Sequence, residues 1–291
     1  MVKKRGQDEE WVEEYFKNPG YGPPDGTIVS LTEDEARDHV EMLCEKLYDD
    51  DVKRRYKAAE ALAPYIADQK YLPEELPIHP ATVLALAILK NSNDRMFCVS
   101  CARSLGMMGA HAAPYASAAL AKAISISSTE LRYEAILSLR RFGPKAAPEA
   151  AAALAWVVTE DAEARLRREA VKALAAMGEA AVAAGGVAVA RACSDEDTDV
   201  QVVAIRALAD LGPTNAEQAG PALKEALEKG SQEIRRFAVN TVIKLGPPVA
   251  QWTGAILSQF LKNEPGNDPK LRTKAAEALM VLGPDVCYEN E

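Results

Sequence analysis

The sequence predicts an all-α chain of tandem antiparallel helix pairs, an α-solenoid, and three observations carry that prediction. An apolar residue followed by glycine recurs about every 34 residues. Around each of these glycines the apolar positions repeat with helical period. The composition is 48% hydrophobic but only 6% aromatic, so alanine, leucine and valine make most of the apolar surface, and alanine has the best helix propensity.

The glycines are Gly109, Gly143, Gly178, Gly212, Gly246 and Gly283, at spacings of 34, 35, 34, 34 and 37 residues. An earlier, degenerate copy places Ile66 in the glycine slot, beside an insertion rich in proline (Pro73, Pro77 and Pro80). Positions one, four, eight and twelve before the glycine are apolar or small throughout, which is one stripe of a helix, here named helix A. Eleven before it stand Arg132, Arg167, Gln201, Arg235 and Arg272. That slot reads as a ladder, each guanidinium bonding an acid or carbonyl of a neighbouring repeat. Glycine then ends helix A where an αL residue is wanted, and the proline that often follows can open the next helix.

Helix B begins after the glycine. Eleven residues on stand Leu120, Leu154, Val189, Leu223 and Leu257, a buried stripe. Eight residues on the side chain is always small: Ser117, Ala151, Gly186, Gly220 and Gly254, which predicts close approach of neighbouring helices. The turns to the next repeat are acidic, as at Glu160-Asp161 and Asp195-Glu196-Asp197, and so complement helix dipoles. The segment from Leu31 to Leu47, with a capping box at Thr32 and Glu35, supplies an N-terminal partner helix.

Paired helices in about 34 residues, with arginine in that slot of helix A, resemble the HEAT family over roughly residues 33–284. The resemblance implies a solenoid of about seven HEAT-type helix pairs wound into a right-handed superhelical rod. It implies a scaffold, an adaptor or a subunit of a larger assembly. The HEAT-like repeat of phycobilin lyases is similar but shorter. The domain reading is an irregular N-terminal arm over 1–30, the HEAT-repeat solenoid over 31–284 and a short C-terminal tail over 285–291.

A formal charge of −9 and a pI of about 5.1 leave no net basic footprint, so no nucleic-acid partner is expected. Five cysteines (Cys44, Cys98, Cys101, Cys193 and Cys287) at irregular spacing do not make a disulfide framework and point to a reducing compartment. No secretory h-region follows Met1, and no run approaches the length that inserts in a membrane. A cytoplasmic location is expected, or an organellar one after loss of a targeting segment.

Chemistry-bearing residues are sparse. His39, His79 and His111 are not followed by glutamate, so the His-Glu pairs of the di-iron HEAT enzymes are missing, and the three read as surface or turn residues. Cys98 and Cys101 have CxxC spacing, but no second pair completes a zinc set and both fill repeat slots, Cys98 replacing the ladder arginine. Asp195, Asp197 and Asp199 lack the later glycine and glutamate of a calcium loop and read as a helix-capping turn. Arg165, Arg167, Arg168 and Lys172 are interleaved with Glu163 and Glu169, a solvated face of mixed sign. No nucleophile elbow, P-loop or dinucleotide fingerprint is present. The expectation is therefore no catalytic residue, no metal and no cofactor.

The repeats serve as an internal alignment for binding residues. Thirteen after the glycine stand Lys122, Trp156, Arg191, Glu225 and Gln259; six after it stand Tyr115, Glu149, Ala184, Gln218 and Trp252. The two slots are seven apart and share a helical face. Tyr115, Trp156 and Trp252 are thus expected as exposed aromatics on the helix B surface, which in HEAT proteins generally lines the concave side. Leu137 and Phe237 occupy mostly polar helix A slots and mark a second, convex contact surface. Trp11, Tyr15 and Phe16 give the arm its own anchors. The function expected is a non-catalytic protein-binding scaffold or accessory subunit of a multiprotein complex, with one or more protein partners. The alternatives are a HEAT-like lyase or attachment factor for a tetrapyrrole or other prosthetic group, and a regulatory or transport adaptor.

Overall fold

The computed structural model describes residues 33–67, 78–91, 93–125, 128–262 and 268–283, all helix or short connection without a strand among them. The helices alternate between two sets. Helix A of successive repeats is α2 (Val52–Ala67), α4 (Arg95–Met107), α6 (Thr129–Phe142), α8 (Ala164–Met177), α10 (Thr198–Asp210), α12 (Gln232–Leu245) and α14 (Pro269–Leu282). Helix B is α1 (Glu33–Lys46), α3 (Pro80–Lys90), α5 (Ala113–Ala123), α7 (Ala147–Glu160), α9 (Val182–Ala192), α11 (Ala216–Lys229) and α13 (Ala250–Leu261). The chain forms two compact units, residues 1–138 and 139–291, dividing within α6. Inside each unit, A helices pack on A, B on B, and each A on the B that precedes it: α2 on α4 and α3 on α5 in the first, α8 on α10 and α7 on α9 in the second.

Burial follows the periodic slots. In α10, Val200, Ala204, Leu208 and, just beyond the helix, Leu211 are fully buried, the stripe read from the sequence. Each fully buried leucine or valine contributes roughly 1.5–3 kcal/mol relative to leaving it in water. The long apolar run 164–192 is broken at Gly178 into helices of 14 and 11 residues, both shorter than the ~20 residues needed to span a bilayer.

The glycine that ends helix A differs from the αL expectation. Gly246 has φ 69° and ψ −149°, and Gly178 has φ 60° and ψ −144°, so both are extended and left-handed. That region is open essentially to glycine alone, whereas αL also admits asparagine. The reason is geometric. An αL residue would fold the chain back over its own helix end, while the extended form aims it into the short 3₁₀ turn Pro247–Val249 that opens helix B. The Gly246 N–H still closes the helix on the Val242 carbonyl at 2.9 Å.

The ladder slot also departs in part from its reading. Arg167 is 6% exposed and donates from Nη1 to the carbonyls of Asp161 and Ala162 at 3.0 and 3.2 Å, in the turn before its own helix. Its Nε and Nη2 grip both Asp195 oxygens at 2.8 and 2.7 Å, an acid of the following repeat. The carbonyl is thus local and only the acid is a neighbour's. Arg55 sits eleven before Ile66 and does the same, reaching the Asp49 carbonyl at 3.1 Å and Asp94 at 2.8 Å. Gln201 and Arg235 reach the carbonyls of Asp195 and Glu228 at 2.6 and 2.8 Å and, among the described residues, meet no acid of a neighbour. Asp94 also caps α4 through the Phe97 N–H and accepts from the Tyr56 hydroxyl. Burial pushes its pKa up, but those bonds and Arg55 outweigh burial and leave the carboxyl below its ordinary value.

The small slot in helix B admits a neighbour's side chain. Trp252 lies across Gly220, where an added methyl group would overlap the indole.

Three substitutions separate these devices. Gly246→Ala is expected to cost about 1–3 kcal/mol through backbone strain alone, because a methyl there meets only Val281 at 3.9 Å; urea unfolding reads the loss. Arg167→Met leaves the largely buried Asp195 carboxylate with the Asp197 N–H but without its cation, and is expected to cost about 3–5 kcal/mol in the same assay. In a chain with Trp11 and Trp156 replaced by Phe, Gly220→Ala is expected to red-shift Trp252 emission and cost about 1–3 kcal/mol; unchanged emission would show that the indole does not rest on Gly220.

Candidate protein-docking surface

Most polar candidates are used up by the fold. The Cys98 thiol is buried in the ladder slot and donates to the Asn91 carbonyl at 3.2 Å. Burial pushes its pKa up to about 11, and pushes Cys101 well above its ordinary value, so both are held as thiols. Asp197 caps α10 by accepting from the Val200 N–H at 3.1 Å, and Asp195 holds Arg167, as a capping turn requires. In the basic cluster, Arg168 pairs with Asp199 at 3.1 Å and Lys172 with Glu169 at 2.7 Å. Among the described residues no three His, Cys, Asp or Glu side chains gather in a metal-holding group.

The aromatic candidates fare differently from one another. In the second unit, Trp156 is 51% exposed on the outward stripe of α7. Pro148, Glu149, Ala152 and Thr159 share that stripe and are exposed with it. On the adjacent helix α9 the equivalent stripe carries Ala183, Ala184, Val187 and Arg191, with Val187 56% exposed. Two packed helices therefore present a nearly neutral surface with one large anchor. Lys224, Glu225, Glu228 and Lys229 on α11 set a charged border beyond it.

Trp252 occupies the slot expected to face water, yet it is part-buried because Gly220 gives its indole a seat. It is not an exposed anchor. In the first unit Tyr115 is 47% exposed, but its ring stacks on His79 with centroids 3.9 Å apart and 7° between planes. His79 also caps α3, its Nδ1 accepting from the Ala81 N–H at 3.2 Å, and burial lowers its pKa. It occupies the slot of Tyr115 one repeat earlier, a match that the proline-rich insertion hides in the sequence. Leu137 and Phe237 are part-buried rather than standing clear of the surface. The Phe237 slot is where Glu134 and Glu169 sit, turned toward the preceding helix A, so it is a seam between repeats and not an outer face. Trp11, Tyr15 and Phe16 lie outside the described residues. Sequence reading missed Val187, whose type gives no signal until exposure is known.

Residues 187–280 match the family of HEAT repeats. Among curated proteins none matches the chain by sequence. Among solved structures, an engineered protein is similar with 19% identity and a TM-score of 0.60, over 94% of this chain and 79% of that one. Kap121p bound to Nup53p is similar with 14% identity and a TM-score of 0.52, over 94% of this chain but 31% of its own length. The complex of CpcE and CpcF of phycocyanin lyase from Nostoc sp. PCC7120, at 18% identity over 91% of this chain and 98% of that one, has a TM-score of 0.42, too loose a likeness to bear on function. One third of the chain thus matches HEAT repeats directly, and the same glycine-centred phrase runs from Gly109 to Gly283 through a fold of tandem helix pairs.

Proposed function

We propose that the chain is a non-catalytic scaffold or accessory subunit that holds a protein partner against the outward stripe of α7 and α9, with Trp156 as the anchor. The observation that carries this reading is a tryptophan left 51% exposed amid neighbours that are mostly small and uncharged. Nothing in the fold of the second unit needs an indole there, since the same slot holds Arg191, Glu225 and Gln259 in the repeats that follow. Tryptophan is the residue type most enriched where binding energy concentrates, and a neutral surround suits burial against protein better than contact with a polyanion. Kap121p, which shares the fold, was solved with a bound protein, and that supports a protein partner in general terms.

The test is the native size of the assembly. The chain is expected to migrate with stable companions well above its own 31.4 kDa. Trp156→Ala is expected to weaken that association by about 2 kcal/mol or more, roughly 30-fold, while helicity and melting stay unchanged. An assembly of the same size and affinity with alanine at 156 would remove this surface from consideration.

A further inference from the structure

The A-helix side of the second unit carries a groove between α8 and α10. The slot nine before the glycine holds Glu134 in α6 and Glu169 in α8, and each glutamate is met by an arginine of the helix A before it. Arg103 reaches Glu134 at 2.9 Å and Arg140 reaches Glu169 at 2.7 Å, so an ion pair closes the seam in both places. In α10 the same slot is Val203. Lys172, which faces that seam from α8, finds no glutamate in that slot and turns to Glu169 on its own helix at 2.7 Å. The seam stays open as a groove of about 440 Å³ with an aliphatic floor of Ala175, Val203 and Ala207.

The rim supplies the polarity. Arg206 and Asp210 line the groove one turn apart on α10, and among the described residues neither has an ion-pair partner. Arginine four residues before aspartate is the weaker order for a pair within one helix. Around them the other cations are taken: Arg168 by Asp199, Lys172 by Glu169 and Arg167 by Asp195. An aliphatic slot with one unpaired guanidinium and one unpaired carboxylate along the same edge is complementary to a short protein segment of matching order.

We propose that the groove between α8 and α10 docks a peptide segment whose aliphatic side chain rests on Val203, with an acidic residue toward Arg206 and a basic residue toward Asp210. This is a second surface, separate from the Trp156 stripe and independent of it.

Panning random peptides against the full chain, with Val203→Glu as counter-target, tests the idea. Val203→Glu restores the glutamate that two other repeats carry and closes the seam with Lys172, so the fold is expected to tolerate it. Peptides selective for the unaltered chain are expected to carry an aliphatic residue between an acid and a base. They should bind Val203→Glu and the exposed variant Arg206→Glu at least roughly tenfold more weakly. Exchanging the peptide's acid for lysine should recover binding to Arg206→Glu. Trp156→Ala should leave all of this unchanged. Three results would overturn the proposal: no peptide distinguishes the chain from Val203→Glu, the selected peptides lack the acid, or binding follows Trp156 instead.

Discussion

A hydrogen-bond donor eleven residues before the glycine slot, reaching back into the turn behind it in five of the repeats, is the interaction on which the repeat depends. The last carbonyls of a helix have no partner in their own helix, and in a stack of helix pairs the turns that carry them are partly covered. Water cannot serve every one of them, so a side chain must. Arg55, Cys98, Arg167, Gln201 and Arg235 all do this, with a guanidinium, a thiol or an amide. The slot therefore selects a donor of sufficient reach and is indifferent to charge. In Arg55 and Arg167 the charge is used a second time, on an aspartate of the next repeat.

Around that fixed joint the other slots divide the work. The apolar stripes fill the space between the helix layers, the small slot of helix B decides how near a neighbour may come, and the seam slot of helix A decides whether adjacent repeats are closed by an ion pair. What remains free to vary is the outward stripe of helix B and the occupants of individual seams. Both candidate contact surfaces arise there, one from a tryptophan where other repeats carry polar residues and one from a valine where other repeats carry glutamate.

The sequence made the helices, their boundaries and most of the core legible, because a 34-residue period lets each repeat check the others. It also placed Trp156 correctly in an outward slot. It failed for Trp252, whose burial depends on Gly220, a different slot of the preceding repeat. Comparing like slots cannot display a contact between unlike ones. The His79–Tyr115 stack was lost for a related reason, since the insertion shifts the count that would have aligned them. For Phe237 a polar slot is not an outer one, since Glu169 in the same slot is 6% exposed and polar on account of its ion pairs.

The two reaches of the ladder donors also bear on how such a chain can grow. Each carbonyl target lies six or seven residues behind its donor, within the same unit of sequence, so duplicating or excising a repeat would leave every backbone joint intact. The acids are different. Asp94 answers Arg55, Glu134 answers Arg103 and Asp195 answers Arg167, each from the adjoining repeat. Interchangeable joints thus coexist with keyed ones, and shuffling the repeats would keep the helices while mismatching the keys. The order of the repeats, and with it the position of any docking residue along the chain, is written in those few neighbour-specific carboxylates.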